Sequence, residues 1–117
     1  MEVGGVLACF GALSQATRLE AFRLLVRHAP DGLPAGEVAR QLDVPQNTMS
    51  THLAVLTRAG LLQAERLGRS IVYRADLARL REMTLFLVKD CCGGRADLCR
   101  PLIADLLPCC PPEKAIA

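Results

Sequence analysis

The stretch PQNTMSTHLAVLTRAGLL, residues 45–62, sorts its side chains into two kinds at helical spacing. Met49, Leu53 and Leu56 recur at i, i+4 and i+7, one apolar stripe. At about 100° per residue the opposite face carries Asn47, Thr51, Ala54 and Arg58, flanked by Gln46, Thr48 and Ser50. A merely solvated face usually mixes Glu and Lys. This one carries amides and hydroxyls, the groups that hydrogen-bond base edges in a major groove. The pattern predicts a helix that buries one side and reads DNA with the other; the alternative is a surface helix rich in Ser and Thr.

The neighbours of this stretch decide between the two. Upstream, Ala35–Leu42 is predicted as a short helix with Val38 and Leu42 inward, joined through Asp43-Val44-Pro45 to the stretch itself. Two short helices this close form a helix-turn-helix. Pro45 is expected near the first helical position, where its missing N–H matters little. Downstream, Ala59-Gly60 stops the helix. Leu62–Leu67 and Ser70–Ala75 then flank Gly68-Arg69 as a two-stranded hairpin. Its arms and tip carry Arg66, Arg69 and Arg74, and beside a reading helix such a tip is a phosphate-contacting wing.

The outer segments are apolar helices. Residues 2–13 place Val3, Val6, Leu7, Phe10 and Leu13 on one face, with Cys9 at its edge as a small apolar filler. Thr17-Arg18-Leu19-Glu20 fits a capping box for a second helix running to about His28, continued by Leu19, Phe22, Leu25 and Val26. Ala29-Pro30-Asp31-Gly32 is a turn. Asp76 starts a last long helix to about Asp90, whose arc of Leu77, Leu80, Met83, Thr84, Leu87, Val88 and Cys91 is wider than a small core needs. Phe86 lies opposite that arc and also needs covering. These surfaces imply a homodimer through the first and last helices.

Totals narrow the class. At 117 residues the chain has room for one core, and 51% hydrophobic content is that of a globular protein. No apolar run reaches the ~18 residues of a membrane span, and no signal peptide is legible, so a cytoplasmic protein without a membrane partner is expected. The net charge of +2 makes any basic patch a local one. Six cysteines in a reducing compartment suggest metal binding or redox chemistry before disulfides. Cys91, Cys92, Cys99, Cys109 and Cys110 crowd the last quarter. With no Cys-x5-Arg and no Cys-x-x-Cys, the sequence offers no thiol enzyme its usual site, and no organic cofactor is expected.

Ala12-Leu13-Ser14, Thr17-Arg18-Leu19-Glu20, Asn47-Thr48-Met49-Ser50-Thr51-His52-Leu53, Ala59-Gly60-Leu61 and Gly68-Arg69-Ser70-Ile71-Val72-Tyr73 occur in the order in which they stand in the ArsR/SmtB metalloregulatory repressors. The chain resembles that family over about residues 5–90. One departure is Pro45, where the family usually has a Ser that caps the recognition helix. The resemblance implies a mainly α (α+β) winged helix-turn-helix homodimer with a two-stranded β wing. Such a dimer binds double-stranded, palindromic operator DNA through Gln46, Asn47, Thr48, Ser50, Thr51, Arg58, Arg66 and Arg69. Residues 1–90 would form the DNA-binding and dimerisation domain and residues 91–117 a cysteine-rich inducer-binding segment and tail.

The resemblance also bears on the inducer. Arsenite-sensing members carry a Cys-x-Cys in the helix before the recognition helix, where this chain has no cysteine. Zinc-sensing members use Asp and His along the last helix, and the only histidines here are His28 and His52. His52 lies beside the buried stripe, as a packing or DNA-backbone residue. Cys91-Cys92-Gly93-Gly94-Arg95-Ala96-Asp97-Leu98-Cys99 is similar to a branch of arsenical-responsive repressors with a vicinal pair and a third cysteine after the last helix. Soft thiolates suit a soft trivalent centre. As(III) is therefore the expected inducer, held by Cys91, Cys92 and Cys99, with Cys109 and Cys110 as a second pair. Sb(III), a methylarsenite-selective site on the vicinal pair, and a thiol redox sensor on the same scaffold are the alternatives. The dipole of the preceding helix disfavours thiolates at its C-terminus, so deprotonation would be driven by the inducer.

Overall fold

The computed structural model describes residues 1–88 and Pro101, and it divides into the units Met1–Met83 and Thr84–Ala117. The order is α1 (Val3–Leu13), α2 (Ala16–Arg27), β1 (Leu33–Pro34), α3 (Ala35–Leu42), α4 (Gln46–Arg58), β2 (Leu62–Leu67), β3 (Ser70–Ala75) and α5 (Leu77–Val88). This is a winged helix-turn-helix. Met49, Leu53 and Leu56 of α4 are each 0% exposed and join Phe22, Leu25, Val38 and Leu61 in one core. Burying each such side chain contributes about 1.5–3 kcal/mol, so α4 is fixed by one stripe and its other face stays open.

The helix-turn-helix corner forms because Asp43 adopts the left-handed conformation (φ 55) after α3, which Asp tolerates better than most residues. The Val44 N–H then donates to Ala39 O at 3.0 Å, satisfying a carbonyl at the helix end. Pro45 sits one residue before α4, in the N-cap position, without a side-chain cap. It therefore stands next to the first helical position, as expected.

Three local expectations are corrected. The inward face of α1 is Val6, Cys9 and Ala12, while Val3 and Leu7 are 61% and 63% exposed. Small side chains let α1 approach the end of α4, and Cys9 Sγ donates to Ala59 O at 3.5 Å. No capping box forms at Thr17 and Glu20. Instead Gln15 is the N-cap of α2, its Oε1 accepting from the Arg18 N–H at 2.8 Å, which leaves Thr17 and Leu19 inside the helix. Removing this cap, as in Gln15→Ala, is expected to lower unfolding stability by about 0.5–2 kcal/mol, read by chemical denaturation.

The third correction concerns the sheet, which has three strands in the order β1-β3-β2, all antiparallel. The hairpin register runs from Leu62↔Ala75 to Leu67↔Ser70 around Gly68 (φ 64). The additional strand, Leu33–Pro34, pairs with Tyr73 and Val72. Two residues, one of them proline, carry no strand periodicity.

Asp76 caps α5 as expected, its Oδ1 accepting from the Arg79 N–H at 3.0 Å. Residues 89 and 90, where the helix was expected to end, lie outside the described residues, as does the boundary between 90 and 91. Within α5 only Met83 is buried. Leu77, Leu85, Phe86 and Leu87 are exposed. Among the described residues no helix is long and apolar enough to cross a membrane.

Candidate DNA-reading face

Burial of the Met49–Leu53–Leu56 stripe dictates what α4 shows to solvent. Gln46, Asn47, Thr48, Thr51 and Arg58 are exposed and Ser50 is half-buried. Two of these side chains are already oriented by the helix itself. Asn47 Oδ1 accepts from the Thr48 N–H at 2.9 Å, which leaves the Nδ2 amide as its free donor. Thr51 Oγ1 donates to Asn47 O at 3.2 Å, leaving its lone pairs and methyl group for a partner. Donor and acceptor are thus assigned before any base arrives.

The wing stands beside this face. Alternation along β2 puts Leu62, Ala64 and Arg66 on the side of Tyr73, which is buried. Ala64 and Tyr73 border a depression shared with Ala54, Thr57 and Arg58 of α4. Arg66 therefore belongs to the hairpin face that turns toward α4. On the outer face Arg74 is tied to Glu65 in an ion pair. Arg58, Arg66 and Arg69 form no ion pair among the described residues. At the tip, Arg69 and Ser70 join Gln46, Ser50, Ile71, Tyr73 and the start of α3 around an open cleft of about 290 Å³. Gln46 lies along α3 there, and a Cβ on Gly36 would come 3.4 Å from its Oε1.

Glu37 is the one acid near the start of α3. Side-chain hydrogen bonds from Arg40, then Gln41, hold its carboxyl well down, at about 2, and Arg40 is raised in return. The paired charge leaves α3 with little repulsion toward a polyanion. The cleft itself has no signal in the sequence beyond the neighbouring Arg69-Ser70 pair, because it forms where α3, α4 and the wing meet in the fold.

The cysteines Cys91, Cys92, Cys99, Cys109 and Cys110 lie outside the described residues. Among the described residues, no group of three or more His, Cys, Asp or Glu could hold a metal ion. Cys9 is fully buried in the core, in the filler role expected of it.

A helix-turn-helix with an exposed polar helix and a basic wing defines a DNA-binding module of the winged-helix class. The helix-turn-helix domain family matches residues 13–63. The HTH-type transcriptional regulator YbzH of Bacillus subtilis (strain 168) is 33% identical over 90 residues, 67% of this chain and 90% of that protein. An ArsR-like transcriptional regulator from Rhodococcus sp. RHA1 is 32% identical with a TM-score of 0.62, covering 86% of this chain and 89% of that one. The AntR antimony-specific transcriptional repressor is also 32% identical, with a TM-score of 0.59, covering 74% and 77%. The chain belongs to the ArsR family of helix-turn-helix transcriptional regulators, a family of DNA-binding proteins rather than enzymes.

Proposed function

We propose that the chain is a homodimeric repressor of a metalloid-resistance operon, released from its operator when As(III) binds Cys91, Cys92 and Cys99. The observation that carries the inducer reading is where thiols are absent. Helix α3 has no cysteine, and Cys9, the only cysteine among the described residues, is buried and donates to Ala59 O. A soft trivalent ligand is thereby directed to the five cysteines beyond residue 90. The likeness to a repressor named for antimony supports a trivalent metalloid and keeps Sb(III) as an alternative.

The DNA half rests on Gln46, Asn47, Thr48, Ser50 and Thr51 in the major groove, with Arg58, Arg66 and Arg69 on the backbone. The homodimer rests on apolar side chains left in water by one copy: Val3 and Leu7 on α1, and Leu77, Leu85, Phe86 and Leu87 on α5. Binding of arsenous acid forms three As–S bonds, and the three thiol protons leave with its three hydroxyls as water. Drawing the chain beyond α5 into this site shifts the dimer away from the spacing that fits two major grooves. A differential affinity of a few kcal/mol suffices. Residues 1–90 act as the DNA-binding and dimerisation domain and 91–117 as the inducer segment, with Cys109 and Cys110 as an auxiliary pair.

The test is a DNA-shift titration with arsenite, methylarsenite, antimonite, zinc, cadmium and peroxide, using a duplex selected by the protein from a random pool. Arsenite is expected to release the wild type and to leave Cys91→Ser on DNA. Release of Cys91→Ser by arsenite would remove the site assignment. Release by peroxide alone would establish the redox reading. A Cys99→Ser variant that answers methylarsenite but not arsenite would show that two sulfurs hold the methylated species.

A further inference from the structure

One side chain ties the corner between α1 and α2 to the recognition helix. Arg18 is anchored by its own backbone, whose N–H donates to Gln15 Oε1 at 2.8 Å. Its Nε donates to Ala12 O, in the last turn of α1, at 2.7 Å. Its Nη1 then stands 3.5 Å from Nδ1 of His52 in α4. A guanidinium has only donors, so this contact favours the tautomer in which the Nδ1 that faces it accepts and the ring proton sits on Nε2. His52 is half-buried and follows Thr48 by one helical turn, at the edge of the reading face. No described residue accepts from its Nε2–H.

We propose that His52 donates from Nε2 to a backbone phosphate of the bound DNA, and that Arg18 is the positioning residue that fixes the tautomer for it. The inference rests on α4 being the DNA-reading helix. It adds a neutral contact to a site whose other backbone contacts are arginines. It also gives α1 a route to the DNA, since the guanidinium that sets His52 is held by the last turn of α1.

Imidazole ¹⁵N spectra of the full chain without DNA come first and require no variant. They are expected to show Nδ1 unprotonated and Nε2 protonated at His52, and a mixture of tautomers in Arg18→Ala. Anisotropy titrations with a fluorescein-labelled duplex of fixed arbitrary sequence follow. His52→Ala and His52→Asn are expected to bind about tenfold more weakly, while His52→Gln, whose amide N–H stands where Nε2–H does, stays near wild type. The slope of log K against log salt is expected to stay unchanged in all three, because a neutral imidazole displaces no counterion. A proton on Nδ1, or His52→Ala binding as well as wild type, overturns the contact. An unaltered tautomer in Arg18→Ala overturns the role of Arg18. A wild-type chain that binds no duplex at low salt overturns the DNA-reading assignment of α4 itself, a failure distinct from the other two.

Discussion

Replacing Asn47 by alanine is expected to weaken binding to the selected operator by about 1–3 kcal/mol, roughly tenfold to a hundredfold. The side chain is exposed, and its Oδ1 is engaged with the Thr48 N–H at 2.9 Å. On the proposed reading its Nδ2 group meets the groove as a donor, suited to the acceptors that purines and thymine present there. Asn47→Asp separates reading from folding. A carboxylate in the first turn of α4 keeps the hydrogen bond to Thr48 and interacts favourably with the helix dipole, so thermal stability is expected to hold or rise by a few tenths of a kcal/mol. The same carboxylate has no donor for a base and repels the backbone phosphates, so binding is expected to fall further than in Asn47→Ala. Anisotropy with the operator duplex and a thermal melt of the same samples check both halves. Equal operator affinity in Asn47→Asp and wild type would take Asn47 off the reading face.

Gly32→Ala is expected to produce the largest loss of stability from a single methyl group. Gly32 has φ 77, where an L-residue is strained by about 1–2 kcal/mol. Its added Cβ would stand 2.4 Å from Tyr73 O and 3.1 Å from Tyr73 C, both backbone atoms of β3. No rotamer relieves that contact. The neighbouring Leu33↔Tyr73 pair must separate, and with it the seat of the wing. A total near 3 kcal/mol lowers Tm by on the order of 10–20 °C in a domain of this size. Gly68→Ala is the control. Its φ of 64 carries comparable backbone strain, yet nothing lies within 4 Å of the added Cβ. A melt that ranks the two alike would show that the contact with Tyr73 is not what makes Gly32 a glycine.

The elements at the centre of this protein are legible because each repeats a local rule. Helix α3 spans Ala35–Leu42 as the spacing predicts, and the hairpin arms fall at Leu62–Leu67 and Ser70–Ala75. The helix is set by an amphipathic repeat and the hairpin by the turn at Gly68, with alternation along β3 alone. The polar face of α4 is legible for the same reason, since burying Met49, Leu53 and Leu56 leaves Asn47, Thr51 and Arg58 nowhere else to go. What misleads is the rule that the largest apolar side chains face inward. Helix α1 turns Cys9 and Ala12 to the core and Val3 and Leu7 to solvent, because close approach of two helices rewards small residues. The cap of α2 misleads similarly: Thr17 and Glu20 have the right spacing, but Gln15 reaches the Arg18 N–H first.

Sequence alone thus determined the helix-turn-helix, the wing and the exposed polar face of α4, and through its motifs the family, since each of these depends on periodicity or turn residues within a short window. The sequence also names the thiols expected to receive the inducer. Only the tertiary structure decided the rest: the short strand β1, the cleft at the wing tip, the inward face of α1, and the reach of Arg18 from the α1–α2 corner to His52. Each of these is made by residues distant in sequence, whose pairing follows from how closely the helices pack and not from any pattern along the chain.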